Sequence, residues 1–326
     1  NPCYLSTLYE YGEAKMSSSS PVVSVVIPTY NRSEVIGNAI SSGLNQTFDD
    51  LEILVVDDGS TDRTEEVVAS FTNERVRYIP LAKNQGANAA RNTGVRQANG
   101  DLIAFLDADD EWRSDKIEKQ VTRFNEVGVD VGLVYTGITR KEINGPVKDS
   151  SVHEFEGDVT RRLLLGNFIG TFSTIMVRKS VFDDVGYLNE SLPSWQDWEF
   201  YLRLSTEYNV AAVPEALTIR RSGATEQISS NFQTKQQVSY QKLRPMFQEL
   251  TENEGVLFQR RSFAALDRAL GDAALVNGQT TQARQIFLRA IKQYPFDPLL
   301  YSYLLVSLTG TRGYRAALRV KRRIVG

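Results

Sequence analysis

The residues best suited to chemistry in this chain are acids that follow short apolar runs. Asp57-Asp58 follows Leu51-Glu52-Ile53-Leu54-Val55-Val56, and Asp107-Ala108-Asp109-Asp110 follows Leu102-Ile103-Ala104-Phe105-Leu106. Two acids separated by one residue at a strand end can turn to the same side and bind a hard divalent cation through oxygen. Mg2+ or Mn2+ so placed keeps positions open for phosphate and water, and neutralises charge that develops on a diphosphate leaving group. Without a cation, carboxylates this close repel one another and raise each other's pKa values. The acidic run alone is equally that of a solvated loop or a helix cap, so the elements that position it decide its meaning.

Those elements alternate. The β-branched run 22–27, ended by Pro28, predicts a buried strand. Ser33 is placed to cap a helix over 34–44, and Thr61 or Asp62 a helix over 63–71. Strands are predicted at 51–56, 76–79 and 102–106, with a helix over 86–97 before the last. This pattern indicates an α/β fold, a doubly wound and mainly parallel sheet covered on both faces. Such sheets take ligands beyond the carboxyl ends of their strands, where Pro28-Thr29-Tyr30-Asn31-Arg32 and both acidic groups fall. Strands at 133–135 and 174–177 and a helix over 197–208 follow, and from 232 onward nearly everything reads as helix. Neither a Gly-x-Gly-x-x-Gly turn nor a Gly-x-x-x-x-Gly-Lys loop occurs, which argues against a dinucleotide fold and a P-loop nucleotidase.

In order and spacing, Val26-Ile27-Pro28-Thr29-Tyr30-Asn31-Arg32, Val55-Val56-Asp57-Asp58-Gly59-Ser60-Thr61-Asp62, Asn84-Gln85-Gly86, Ala90-Arg91-Asn92-Thr93-Gly94 and Leu106-Asp107-Ala108-Asp109-Asp110 form one set. The set resembles glycosyltransferase family 2, an inverting family with the GT-A fold, over about residues 22–222. The resemblance implies a nucleotide-sugar donor, UDP-linked by default, from which a hexosyl group passes to an acceptor hydroxyl. It implies that Pro28, Thr29, Tyr30 and Arg32 form the first nucleotide-binding loop. Asp58, with Asp57 next, is expected on the base, and Gly86 and Arg91 over the nucleoside. Asp107 is expected at the ribose or in the metal shell, and Asp109 as direct ligand of Mn2+ or Mg2+. Inverting transfer also needs a base for the acceptor hydroxyl. In the family this is an acid opening a helix, which Trp195-Gln196-Asp197-Trp198-Glu199-Phe200 matches at Asp197, with Glu199 as rival. Trp195 and Trp198 flank the base as a platform for a sugar face.

The chain departs from the pattern in two places. Gln196 stands where many relatives carry Glu, which removes one charge beside the base and is expected to lower its pKa. Ile219-Arg220-Arg221-Ser222 replaces a Tyr-Arg-x-His motif, so a histidine contact to the metal is lost there. Arg220 or Arg221 becomes a candidate to neutralise the diphosphate, and the single histidine, His153, reads as a surface residue. The Gln-x-x-Arg-Trp signature of processive synthases is absent, so transfer of one sugar is expected.

Length and composition set the frame. With 326 residues, 41% hydrophobic and 24% charged, the chain has the make-up of a soluble globular protein of two domains. We read residues 1–20 as an N-terminal extension, 21–225 as the transferase domain and 226–326 as an all-α domain. In the last, Gly271, Gly278, Ala283, Phe287, Ala290 and Pro295 have tetratricopeptide-like spacing. That domain is expected to serve a protein partner or self-association. A single cysteine, Cys3, fits a reducing, cytoplasmic compartment. No apolar run approaches the ~20 residues that span a bilayer. The cations of 312–323 (Arg312, Arg315, Arg319, Lys321, Arg322 and Arg323) suit either a solvated helix end or peripheral contact with anionic lipid, and hence a lipid-linked or glycan acceptor. Net charge of −3 argues against a nucleic-acid partner. Two other classes compete: a non-catalytic nucleotide-sugar-binding scaffold, and a nucleotidyltransferase, for which the 28–32 loop holds too few cations.

Overall fold

The computed structural model describes residues 21–142, 145–222 and 231–309. The expected extension 1–20, the boundary at 225/226 and the basic stretch 312–323 lie outside the described residues. In chain order the elements are β1 (Val23–Thr29), α1 (Ile36–Leu44), β2 (Leu51–Asp57), α2 (Thr64–Ala69), β3 (Val76–Pro80), α3 (Ala87–Gln97), β4 (Leu102–Phe105), β5 (Asp110–Trp112) and α4 (Lys116–Glu126). Then follow β6 (Val131–Glu142), β7 (Val147–Ser151), α5 (Thr160–Leu163), β8 (Ile175–Arg178), α6 (Val181–Asp184), α7 (Gln196–Ser205) and β9 (Asn209–Ser222). The rest is helical: α8 (Phe232–Thr234), a π-helical turn (Lys235–Ser239), α9 (Tyr240–Leu250), α10 (Val256–Val276), α11 (Thr280–Gln293) and α12 (Pro298–Leu308).

Among the described residues nine strands form one mixed sheet in the order β3-β2-β1-β4-β8-β6-β9-β5, with β7 on β6. β3, β2, β1 and β4 run parallel, and β8 turns antiparallel beside β4. Strand alternation divides the core. Val25, Ile27, Ile53 and Val55 face the α1 side with Ile36 and Ile40, whereas Val26, Leu54 and Val56 face the α3 side with Ala90 and Val95. Both faces are therefore dry, which is why β1 and β2 are largely apolar, with the interruptions Ser24 and Glu52 bonded to each other at 2.6 Å.

β1 runs on through Pro28 to Thr29 rather than stopping at Pro28. The β4 ladder ends at Val26–Phe105, so Pro28 has no strand on that side to deprive of an N–H. Ser33 does not cap α1; its N–H donates to Asp62 Oδ2 at 3.0 Å, and Asp62 Oδ1 accepts the Thr64 N–H at 3.0 Å to open α2. β9 was not legible because Pro214 interrupts it, and that residue falls at a register shift where β6 steps from Thr136 to Gly137.

The α3-side core continues into the helices after residue 231. Trp198 joins them: it is 2% exposed, meets Phe247 edge-on at 5.6 Å, and its Nε1–H donates to the Leu163 carbonyl at 2.8 Å. Further out, α10 and α11 form a helical hairpin. A Cβ on Gly271 would lie 2.4 Å from the Phe287 ring, so the glycine permits the close approach that the spacing predicts.

Gly94 makes the equivalent contact for the sheet half, since a Cβ there would lie 2.3 Å from Val26 Cγ1. Gly94→Ala gains about 1 kcal/mol of helix propensity but overpacks the α3–β1 seam by about 1–3 kcal/mol. A net fall in the urea midpoint with an unchanged m-value is expected.

Candidate active site

The ends of β1, β2 and β4 meet at one rim, because Thr29 pairs with Asp57 and β4 stops two residues before Asp107. A cleft of about 710 Å³ opens there. Every expected site residue except Asp57 and Trp198 lines it: Pro28, Thr29, Tyr30 and Arg32 from the first loop, Asp58, Gly86 and Arg91 on one side, Asp107 and Asp109 on the floor, Trp195 and Asp197 opposite. Trp198 is core, as its packing shows. Asp57 is spent inside the fold, accepting the Ser60 N–H at 2.8 Å and the Tyr78 hydroxyl at 2.6 Å.

Asp58 is both wall and brace. Its two oxygens accept the backbone N–H groups of Gln85 and Gly86 at 2.7 Å each. These bonds pin the turn into α3, where Gly86 at φ 100° takes a backbone shape that L side chains rarely adopt. The first loop is tied to the β2 turn: Asn31 N–H donates to Ser60 Oγ at 2.9 Å, and Thr61 N–H to Asn31 Oδ1 at 2.8 Å. Thr29 Oγ1 lines the cleft, is buried, and has no hydrogen-bond partner among the described residues.

Arg91 joins the two walls. It is 6% exposed, donates to Asp107 Oδ1 at 2.7 Å, to Asn88 Oδ1 at 3.0 Å and to Gln196 Oε1 at 3.3 Å, and lies over the Phe172 ring at 4.4 Å. It thus orients Asp107 while itself lining the cleft. Also on α3, Asn92 Nδ2 donates to the Leu188 carbonyl at 2.9 Å and to Glu190 Oε1 at 2.8 Å, fixing the far wall. Phe172, Ser173 and the 188–194 wall carry no motif. Only the fold brings them here.

The floor is acid-rich. Burial, then the Asp107 charge, pushes the Asp109 carboxyl above the usual range, while Arg32 and Arg220 pull it back. Asp110 is driven well above that range by burial and by Asp107 and Asp109, with Ser173 and Arg220 opposing. A hard cation relieves this crowding, so the residues fit a metal. Among the described residues no three His, Cys, Asp or Glu side chains form a metal cage, so open positions would fall to ligand oxygens and water.

Asp197 opens α7 and faces the cleft. Burial pushes its pKa up, the Trp198 N–H at 2.8 Å and then Arg91 pull it down, and Asp107 adds to the rise. The neutral Gln196 does not offset that burial. Glu199 is held by Arg203 through bonds of 2.8 and 3.1 Å and does not line the cleft. Arg220 lines the cleft, whereas Arg221 pairs with Glu111 at 2.6 Å. His153 is half-buried rather than on the surface, stacked on Phe155 with ring centroids 5.6 Å apart.

The chain thus has a GT-A-like fold, with a cleft at the carboxyl edge of its doubly wound sheet and clustered acids on the cleft floor. The profile of glycosyl transferase family 2 matches residues 24–186, and the chain belongs to that family. TuaG of Bacillus subtilis, a glycosyltransferase named for teichuronic acid biosynthesis, is 32% identical over 166 residues, covering 50% of this chain and 65% of TuaG. An uncharacterised glycosyltransferase of Rickettsia bellii is 27% identical over 78% of this chain but only 37% of its own length. The chain thus spans less than two thirds of these relatives. Among solved structures, S. aureus TarS 1–349 superposes with a TM-score of 0.62 at 20% identity, covering 90% of this chain and 91% of that one. The mannosyltransferase PcManGT of Pyrobaculum calidifontis, in complex with GDP-Man and Mn2+, gives 0.53 at 16% identity over 94% and 86%.

Because Asp110 is buried among like charges, ionising it costs stability. Its raised pKa means that this cost is absent at low pH and grows as pH rises through the folded-state value. Asp110→Asn is therefore expected to raise the melting temperature of the metal-free protein at neutral pH. That advantage should shrink toward zero on acidification.

Proposed function

We propose that the protein is an inverting, non-processive glycosyltransferase that moves one sugar from a nucleotide-diphosphate sugar, with UDP favoured, to an acceptor hydroxyl of a glycan or lipid-linked molecule. The observation that carries this reading is Asp197, a carboxyl at the start of α7 that faces the same cleft as Asp107 and Asp109.

The roles divide along the cleft. Pro28, Thr29, Tyr30, Arg32 and Asp58 hold the nucleoside, with Tyr30 exposed to it at the rim. Asp109 holds a divalent ion, Mn2+ or Mg2+, with Asp107 beside it in the orientation that Arg91 sets. When bound, the ion supplies charge neutralisation for the departing diphosphate. Asp197 takes the proton of the acceptor hydroxyl as that oxygen bonds to the anomeric carbon from the face opposite the leaving group. The bond from that carbon to the β-phosphate oxygen breaks, and its electron pair leaves with the nucleoside diphosphate. Arg220, on the cleft wall, adds positive charge on the leaving-group side.

A cytoplasmic location and a tetratricopeptide-like role for the helical hairpin, as a partner or self-association surface, belong to this proposal. They are supported by the single cysteine and by the Gly271–Phe287 packing. No described helix is long and apolar enough to cross a membrane.

Thermal denaturation with a panel of nucleoside diphosphates tests the donor site. A nucleotide at 100 times its Kd adds about 2.7 kcal/mol, and that gain is expected only with Mn2+ or Mg2+ and is lost in Asp109→Ala. No stabilisation by any nucleotide, metal present, would sink the donor assignment.

Asp197→Asn is expected to keep that stabilisation and to lose transfer by roughly 10²–10⁴-fold. Only the ionised carboxylate accepts a proton, so a raised pKa places the acid limb of kcat/KM above the ordinary carboxylate range. Full activity in Asp197→Asn would remove it as the base.

A further inference from the structure

The run α8, π-helical turn and α9 passes along the cleft wall made by residues 190–197. Thr234 and Val238 of this run line the cleft. Lys235 follows Thr234 in sequence and begins the π-helical turn, a form frequent at functional sites. Its ammonium stands over the Trp195 ring, 5.2 Å from the centroid. Seven residues on, Lys242 donates to Ser191 Oγ, on the same wall. Ser194 Oγ and Ser239 Oγ, 2.8 Å apart, clamp the turn against that wall. Two lysines of one helical run thus contact residues of one cleft wall, Trp195 and Ser191.

Lys235 is largely buried, and among the described residues it forms no ion pair with a carboxylate. Burial pulls its pKa down, opposed by Asp197 and Asp272. Of these two acids Asp197 lines the cleft and Asp272 belongs to α10. Holding an ammonium out of water without an anion is costly. Such a cation is suited to a ligand that brings its own negative charge.

We infer that Lys235, supported by Trp195 and joined at the rim by Lys242, forms an anion subsite on the acceptor side of the cleft, for an acceptor that carries a phosphate or carboxylate group near the hydroxyl to be glycosylated. The inference deepens the function proposed above and rests on its placement of the acceptor beside Asp197. Lys235 is a specificity-determining residue in this arrangement. The group it binds lies next to the reacting hydroxyl and takes no part in the bond changes.

The probes are methyl β-glucuronide against methyl β-glucoside, and glycerol 3-phosphate against glycerol. Each is titrated into the protein holding UDP and Mn2+, with binding read by ligand NMR. At least one charged probe is expected to bind about tenfold more tightly than its neutral partner, the worth of one charge-assisted contact. The pair that shows the larger ratio names the source, carboxylate or phosphate. Lys235→Arg should keep the preference, and Lys235→Met should reduce it to within about twofold, with UDP-dependent stabilisation retained. Equal binding of charged and neutral probes in the wild type overturns the inference. So does a preference that survives in both Lys235→Met and the Lys235→Met/Lys242→Met double variant. A wild type that UDP does not stabilise would instead sink the donor reading, and the charged-to-neutral ratio is then read on the nucleotide-free protein.

Discussion

The Arg91 guanidinium is the contact on which the cleft depends. It sits on α3, is almost wholly buried, and reaches Asp107 on the floor, Gln196 on the far wall and the Phe172 face at once. A buried cation with fewer partners would be costly, and the floor acids without a cation would repel one another. Each therefore justifies the other's burial. The seam that seats α3 on β1 is close-packed because Gly94 lets the helix backbone approach Val26. The glycine at position 94 and the charge at position 91 belong to one device. The first sets the helix close to the sheet, and the second uses that closeness to bridge two walls.

The same logic explains how the acids differ. Asp57 and Asp58 are adjacent in sequence, yet one is consumed by Ser60 and Tyr78 inside the fold, while the other braces the turn into α3 and still faces the cleft. Asp109 and Asp110 are pushed up chiefly by burial, and Arg220 reaches both from β9. Asp197 has a raised pKa for the same leading reason, despite a neutral Gln196 beside it. Burial, more than the identity of the neighbour, sets the proton affinity of the proposed base.

The helical run after residue 231 is not an appendage to the sheet. Trp198 anchors it, so α7 presents Asp197 and Trp195 to the cleft with one side and its core tryptophan to Phe247 with the other. Thr234 and Val238 then complete the cleft from a part of the chain that holds no transferase motif. This side of the cleft is thereby built by a segment that the family profile, which ends at residue 186, does not reach.

The sequence by itself determined the alternation of β1 to β4 with their helices, and the rim on which Pro28–Arg32, Asp58, Asp107 and Asp109 gather. Apolar period and strand-end position are local signals, and parallel β-α units leave few topologies open. Tertiary structure alone decided what the neighbours of those residues do. It sent Trp198 into the core and Trp195 to the cleft, locked Glu199 to Arg203, chose Arg220 over Arg221 for the site, and brought Phe172, Thr234 and Val238 to its walls. Each of those outcomes depends on which face of an element is covered by a partner distant in the chain. Strand β9 shows the limit most plainly: Pro214 hid it from a period-based reading, and only its register against β6 shows that a bulge absorbs the proline and carries Arg220 to the acids. Long-range pairing of this kind leaves no local pattern to read.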